Sequence, residues 1–319
     1  MSATLSFRSL PFVNIIQLPS HRGVVPWKCP RQFRPRRRRA RAGRTEQPHA
    51  RMPGRWDLKD MKCVVTGGSK GLGLACVTEM LQLGASVLLT ARGAEELEAV
   101  QKAHSVQHAG RVHIMVADVS EASGRAALVS CLLELWGGSL DVLVNNVGTN
   151  KRQRVEDSTD DEYQQMVATN QDSAYFLCKL CLPLLRKSSH ASVVNVSSLA
   201  GVRSSGTGVV YAMTKAAMVH MSKALACEWA AYGIRVNCVA PWMARTPMLE
   251  AAVEKEPAQL LAVCAATPLG RLGEPADTAG AVCFLCMPAS AYVTGQLLAV
   301  DGGTMAQGFR GPCIVPHPQ

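Results

Sequence analysis

The chain has 319 residues, 48% of them hydrophobic and 18% charged, enough for one large α/β domain or two small ones with a substantial core. Its net charge of +10 points toward nucleic acid only until it is located: residues 1–56 hold twelve Arg and one Lys against the single acid Glu46, so the body is close to neutral. With no aromatic-studded basic face and no zinc spacing beyond that tail, a nucleic-acid partner is excluded from the expectation.

Residues 1–55 include MSATLSFRSLPFVNIIQLPS and RQFRPRRRRARAGR. They are hydroxylated, basic and poor in acids, and they lack the roughly 20 consecutive apolar residues of a membrane span. The composition predicts an organelle transit peptide, with an unaddressed tail as the alternative. No membrane association is expected. The tail is set aside from the fold.

From Trp56 onward, short apolar runs alternate with longer segments of helical periodicity. The runs are KCVVT (62–66), SVLLT (86–90), RVHIMVA (111–117), LDVLVN (140–145), SVVNVS (192–197), IRVNCVA (234–240) and QLLAV (296–300). Continuous apolar strands separated by helices predict parallel strands with both faces covered. The expectation is an α/β fold, a single doubly wound Rossmann domain over 56–305, with a seven-stranded parallel sheet and a C-terminal tail at 306–319. Twelve cysteines are spread along the chain, and Cys178/Cys181 and Cys283/Cys286 form two C-x-x-C pairs. Both pairs lie in apolar helical stretches without a knuckle or paired His, so they read as core packing in a reducing compartment and not as a metal site.

The first strand runs into TGGSKGLG, with Gly67, Gly71 and Gly73. A glycine turn between a strand and a helix lets backbone amides and a helix N-terminus meet a pyrophosphate. The second strand ends in Ala91-Arg92, where an NAD-binding fold usually places an acid for the ribose hydroxyls. Arg92 and Lys70 can flank a 2′-phosphate instead, and the expected cofactor is NADP(H).

YAMTK holds Tyr211 and Lys215 at i and i+4, on one side of a helix. Ser198 ends a strand thirteen residues earlier, so the loop can return Tyr211 opposite it. A tyrosine titrates near 10, too high for proton exchange at neutral pH without help from a neighbouring ammonium. The reading is carbonyl reduction: Tyr211 donates the proton, Ser198 holds the carbonyl oxygen, and Lys215 lowers the tyrosine pKa and holds the nicotinamide ribose.

Taken together, TGGSKGLG, Asp118, NNVG (145–148), Asn170, Ser198, YAMTK and the closing VDGG resemble the short-chain dehydrogenase/reductase family over residues 56–305. The resemblance implies a catalytic set of Asn170, Ser198, Tyr211 and Lys215, with Asn170 holding a water that relays protons to Lys215. It places Asp118 and Val119 by the adenine and has Asn145 supporting the fourth strand. It also puts Ser69, Leu72, Val147, Gly148 and Pro241 on the cofactor. One element departs from the family: Pro241 is followed by Trp242 and not by Gly. Longer stretches, among them NCVAPWMARTPM and TPLGRLGEPADTAGAVCFLCMPASAYVTGQLLAVDGG, are similar to plant-type tropinone-reductase-like enzymes, which are NADPH-dependent ketone reductases. That likeness makes the chloroplast the expected address, with mitochondrion or cytoplasm as alternatives. A plastid 3-oxoacyl-carrier-protein reductase is the rival activity, and a non-catalytic NADP(H)-binding sensor or scaffold the rival class.

Residues 241–273 must fold over the nicotinamide end of the cleft. Trp242, Met243, Met248, Leu249 and Leu260 are predicted to face inward, and Thr246 to touch the nicotinamide carboxamide. An apolar lid without a fixed inward charge predicts a small or medium lipophilic ketone or alcohol as substrate. Lys151, Arg152 and Arg154 are expected to lie on a solvated loop, with attraction of an anionic carrier or a CoA phosphate as the alternative. The segments 161–187 and 208–233 are apolar on more than one face, which predicts a homodimer or homotetramer.

Overall fold

The computed structural model of the chain describes residues 54–254 and 258–308. The transit-peptide expectation and most of the C-terminal tail lie outside the described residues. The strands are β1 (Lys62–Thr66), β2 (Ser86–Ala91), β3 (Val112–Val116), β4 (Val142–Asn145), β5 (Ser192–Val196), β6 (Arg235–Pro241) and β7 (Leu297–Val300). Each coincides with a predicted apolar run to within two residues. They form one sheet in the order β3-β2-β1-β4-β5-β6-β7, and every pairing is parallel.

Nine α-helices complete the described residues: α1 (Gly71–Gln82), α2 (Ala94–Ser105), α3 (Ala122–Trp136), α4 (Asp160–Val167), α5 (Ser173–Leu185), α6 (Val209–Trp229), α7 (Pro247–Val253), α8 (Ala258–Ala266) and α9 (Pro275–Cys286). Side chains alternate across the sheet, as the two-residue period of a strand requires. Val65, Leu89 and Val144 pack on one face with Val77 and Met80 of α1 and Leu285 of α9. Val64, Leu88 and Leu143 pack on the other with Leu128 of α3, Leu177 of α5 and Trp229 of α6. Both faces are therefore buried, which is why the strands read as unbroken apolar runs.

The two C-x-x-C pairs belong to this core. Cys178 and Cys181 lie on α5 and Cys283 and Cys286 on α9, all buried and unbridged. Burial pushes the Cys178 and Cys181 thiols up to about 12. They act as small hydrophobes. No helix among the described residues is long and apolar enough to cross a membrane.

Strand order reverses at β1, whose neighbours are β2 and β4. The crevice of a doubly wound sheet opens at this switch point, beyond the carboxyl ends of the strands.

Candidate active site

The glycine turn lies at the carboxyl end of β1. Gly67 and Gly71 adopt φ of +65° and +56°, which side-chain-bearing residues rarely do. Gly73 is needed for another reason: a Cβ there would sit 2.1 Å from the Gly67 carbonyl oxygen. Helix α1 begins after Lys70 with no side-chain cap and no acid in its first turn. Its N-terminal amides and dipole are left for an anion. Asn146 ties this turn to β4, its Nδ2 donating to the Thr66 and Gly67 carbonyls at 2.9 and 3.1 Å. The sequence reading passed over Asn146, though the second Asn of NNVG was the available signal. These features fit the pyrophosphate of a dinucleotide.

Lys70 and Arg92, the two cations expected to flank a 2′-phosphate, each have an acidic neighbour. Lys70 Nζ donates to Glu96 Oε1 at 3.1 Å, and Ser69 Oγ donates to Glu96 Oε2 at 2.9 Å. Arg92 lies 4.0 Å from Asp118 Oδ2. Glu96 sits in the first turn of α2, where the helix dipole favours a carboxylate, and that turn follows β2 directly. Lys70, Ser69 and Arg92 together hold the Glu96 carboxyl below its ordinary pKa. Burial pushes Asp118 up, but the hydroxyl and amide of Ser120, with Arg92, outweigh it and leave the carboxyl below the usual range.

Asn145 is buried at the end of β4. Its Nδ2 donates to Asn195 Oδ1 at 2.8 Å, and Asn195 in turn donates to Ser222 Oγ at 2.8 Å, a polar chain linking β4, β5 and α6. Its Oδ1 has no hydrogen-bond partner among the described residues. Asn170 lies in a π-helical turn at residues 168–172 between α4 and α5. Such turns occur often at functional sites. Its Oδ1 accepts from the Thr149 amide at 2.7 Å, and its Nδ2 donates to the Thr149 carbonyl at 2.9 Å and to Thr214 Oγ1 at 3.1 Å. Thr214 then donates to the Tyr211 carbonyl at 2.8 Å. Thr214, inside YAMTK, was also missed.

Lys215 and Tyr211 share one side of α6, and the Lys215 ammonium lies 5.8 Å from the Tyr211 ring centroid. Lys215 is buried, donating to the Val196 carbonyl at 3.0 Å. A Cβ on Gly148 would come within 3.0 Å of its Nζ and 3.5 Å of Asn170 Oδ1, so a larger residue there would crowd both groups. Ser197, absent from the sequence reading, donates to the Lys215 carbonyl at 2.7 Å. Ser198 ends the strand, its Oγ accepting from the Ala200 amide at 3.2 Å, and its hydroxyl lines the same cleft as the Tyr211 phenol. Burial pushes the phenol above its ordinary pKa, while Ser198 and then the Arg152 charge oppose it. The Arg152 charge thus acts on the phenol from the cleft side, and the Lys215 ammonium lies 5.8 Å from the ring centroid.

Burial also pushes Lys215 down, from 10.5 to about 8, with Cys238 slightly opposing. Between these values an unfolded chain holds a proton that the folded one has released, so this group adds stability as pH rises from 8 to 10.5. The gain amounts to roughly 3 kcal/mol. Eight cysteines have raised pKa values and act oppositely above pH 9, so the protein as a whole loses stability there. The lysine effect is isolated by comparison with Lys215→Met in urea unfolding. The variant's advantage is expected to be largest below pH 8 and to vanish by about 10.5. A difference that does not change with pH would contradict the buried, depressed amine.

A cleft of about 140 Å³, open to solvent, lies over Ser198 and Tyr211. Pro241, Trp242, Met243, Thr246, Met248 and Leu249 line it. The Trp242 indole is fixed by a 3.2 Å bond to Thr267 Oγ1. Thr246 caps α7, accepting from the Leu249 amide at 3.3 Å. Leu260 does not reach the cleft: it packs with Leu249, Val253 and Leu272 in a separate apolar cluster under the lid. A second departure is Arg152, which lines the cleft, whereas the sequence reading put it on a solvated loop. Val119 and Val147 pack in the core layer beside α3, and Leu72 lines the cleft mouth.

A glycine cradle at the switch point, with serine, tyrosine and lysine gathered beside it, defines an NAD(P)-dependent oxidoreductase of alcohol and ketone groups. The family model described as enoyl-(acyl carrier protein) reductase matches residues 67–305. A chloroplastic tropinone reductase homolog of Arabidopsis thaliana is 44% identical over 255 residues, covering 80% of this chain and 79% of its own. A tropinone reductase homolog of Datura stramonium is 38% identical over 258 residues, with 80% and 96% coverage. Among solved structures, a short-chain dehydrogenase/reductase of Brucella melitensis, titled a glucose/ribitol dehydrogenase, aligns at TM-score 0.73 and 32% identity, covering 79% of this chain and 99% of that one. A gluconate 5-dehydrogenase of Burkholderia cenocepacia, solved with NADP and tartrate, aligns at TM-score 0.74 and 27% identity, with 80% and 98% coverage. The chain belongs to the short-chain dehydrogenase/reductase family.

Proposed function

We propose that the protein is an NADPH-dependent ketone reductase of tropinone-reductase-like type. The observation that carries this reading is that Ser198 and Tyr211 line one cleft together, with Lys215 buried on the same side of α6 as Tyr211. Bound NADPH supplies a hydride to the carbonyl carbon. Tyr211 gives its phenolic proton to the carbonyl oxygen, and Ser198 donates a hydrogen bond that positions that oxygen. Lys215 supplies positive charge beneath the tyrosine and holds the ribose. Asn170 keeps the Thr149 turn and the start of α6 in register.

The preference for NADP(H) rests on Ala91-Arg92 at the end of β2 and on Lys70 in the glycine turn. The Lys70–Glu96 and Arg92–Asp118 pairs are solvent-exposed, and such pairs contribute about 0–1 kcal/mol. A 2′-phosphate, with more charge and more acceptor oxygens, displaces Glu96 from Lys70. The NADP in the gluconate 5-dehydrogenase structure agrees with this preference.

Steady-state assays with NADPH and NADH against a ketone panel and acetoacetyl-carrier protein test the reading. Turnover of ketones with NADPH is expected. Efficient reduction of the carrier substrate alone would favour the 3-oxoacyl-carrier-protein reductase, and NADPH binding without turnover would favour the sensor. Tyr163, Tyr175, Phe176, Leu180, Val209 and Met213 leave an apolar surface on α4, α5 and α6, which supports a homodimer or homotetramer built through these helices. Sedimentation that gives only monomer at micromolar concentration would end that reading. The composition of residues 1–55 and the chloroplastic relative support a plastid address, which a fluorescent fusion of those residues tests.

A further inference from the structure

Three cations, Lys151, Arg152 and Arg154, follow the NNVG turn within four residues, and they meet different fates. Lys151 is paired with Glu162, and Arg154 with Glu156. Between them Arg152 is half-buried and turns into the cleft that holds Ser198 and Tyr211. No acid lines that cleft, and Arg152 is the one charged side chain among the described residues that does. Its guanidinium has no carboxylate and no hydrogen-bond acceptor recorded among the described residues, while both basic neighbours have theirs. Across the cleft stand Trp242, Met243, Met248 and Leu249.

A half-buried guanidinium without an acceptor has lost hydration that nothing in the protein replaces. A planar carboxylate restores it, because the guanidinium presents parallel N–H groups in the spacing of two carboxylate oxygens. The apolar wall in turn takes hydrocarbon. We propose that this cleft selects ketones with an apolar body and a carboxylate, and that Arg152 is the residue that binds the carboxylate. The inference rests on the ketone-reductase reading and narrows it: the preferred substrates are oxo-carboxylates, and neutral ketones of equal size are the poorer ones.

The test uses the full chain with NADPH and a chain-length series of oxo-carboxylates, each beside its methyl ester. At the best length, kcat/KM is expected to favour the acid over its ester by about ten- to a hundred-fold, the range of a hydrogen bond to a charged group. Arg152→Met should bring that ratio to about one, chiefly through KM, Arg152→Lys should keep part of it, and Arg152→Glu should invert it. The ratio is the readout because Arg152 also acts on the Tyr211 phenol, and a change there affects acid and ester alike. Calorimetric binding of the matching saturated carboxylate gives a second readout that needs no turnover. Micromolar to millimolar binding to the parent and its loss in Arg152→Met supports the inference even if no ketone in the series is reduced, an outcome that would count against the reductase reading instead. If esters and acids are reduced equally well and Arg152→Met leaves the ratio unmoved, the inference is overturned while the reductase stands.

Discussion

Tyr211→Phe is expected to slow ketone reduction by at least about a hundred-fold while NADPH binding stays within a few-fold of the parent. The ring is kept, so the packing of α6 beside Lys215 and Ser198 is undisturbed; only the transferable proton goes. The phenol lines the cleft with Ser198 and lies beside a buried ammonium, 5.8 Å from the ring centroid. Ser198 alone can hold a carbonyl oxygen but cannot exchange a proton at neutral pH, since its hydroxyl has no adjacent base among the described residues. Single-turnover reduction followed by NADPH absorbance, with binding measured separately by NADPH fluorescence, separates the two effects. Near-parental turnover with any good ketone would remove Tyr211 from the role of acid.

Gly73→Ala is expected to abolish measurable NADPH binding at concentrations that saturate the parent. The added methyl carbon would stand 2.1 Å from the Gly67 carbonyl oxygen and 2.5 Å from Asn146 Nδ2. Neither neighbour is the loose end of a flexible side chain: the first is backbone, and the second is bound to the Thr66 and Gly67 carbonyls. The turn and α1 must move apart by more than an ångström, which displaces the amides that face the pyrophosphate. Overpacking of this kind costs about 1–3 kcal/mol of stability, so the variant should fold with a lowered melting temperature. Gly71→Ala provides the contrast. Its Cβ would meet nothing nearer than Thr246 Cγ2, at 3.4 Å, and its penalty is the left-handed backbone, about 1–2 kcal/mol. Equal loss in the two variants would show that backbone conformation, and not the close contact at Gly73, controls the cradle.

The resemblance and the local chemistry made most of the machinery legible before any coordinates. A strand run, a glycine turn and a Tyr/Lys pair at helical spacing each carry their meaning within a few residues, and the structure places the strand runs in one parallel sheet. The misreadings have a common form. The pairing of Lys70 with Glu96 was not legible because Glu96 lies 26 residues away, on α2. Leu260 was read as inward because an apolar lid residue has two sides to choose between, and its neighbours Leu249, Val253 and Leu272 offered a drier one.

The sequence by itself determined the parallel sheet, the cradle at its switch point and the identity of the groups gathered there. Periodicity and motif spacing are local properties that survive without knowledge of distant partners. Only the tertiary structure decided which of Lys151, Arg152 and Arg154 faces the cleft. All three have the same charge and lie within four residues, and the choice follows from where acids on other segments fall: Glu162 at the start of α4 takes Lys151, Glu156 takes Arg154, and Arg152, with neither, turns toward the apolar wall and the tyrosine.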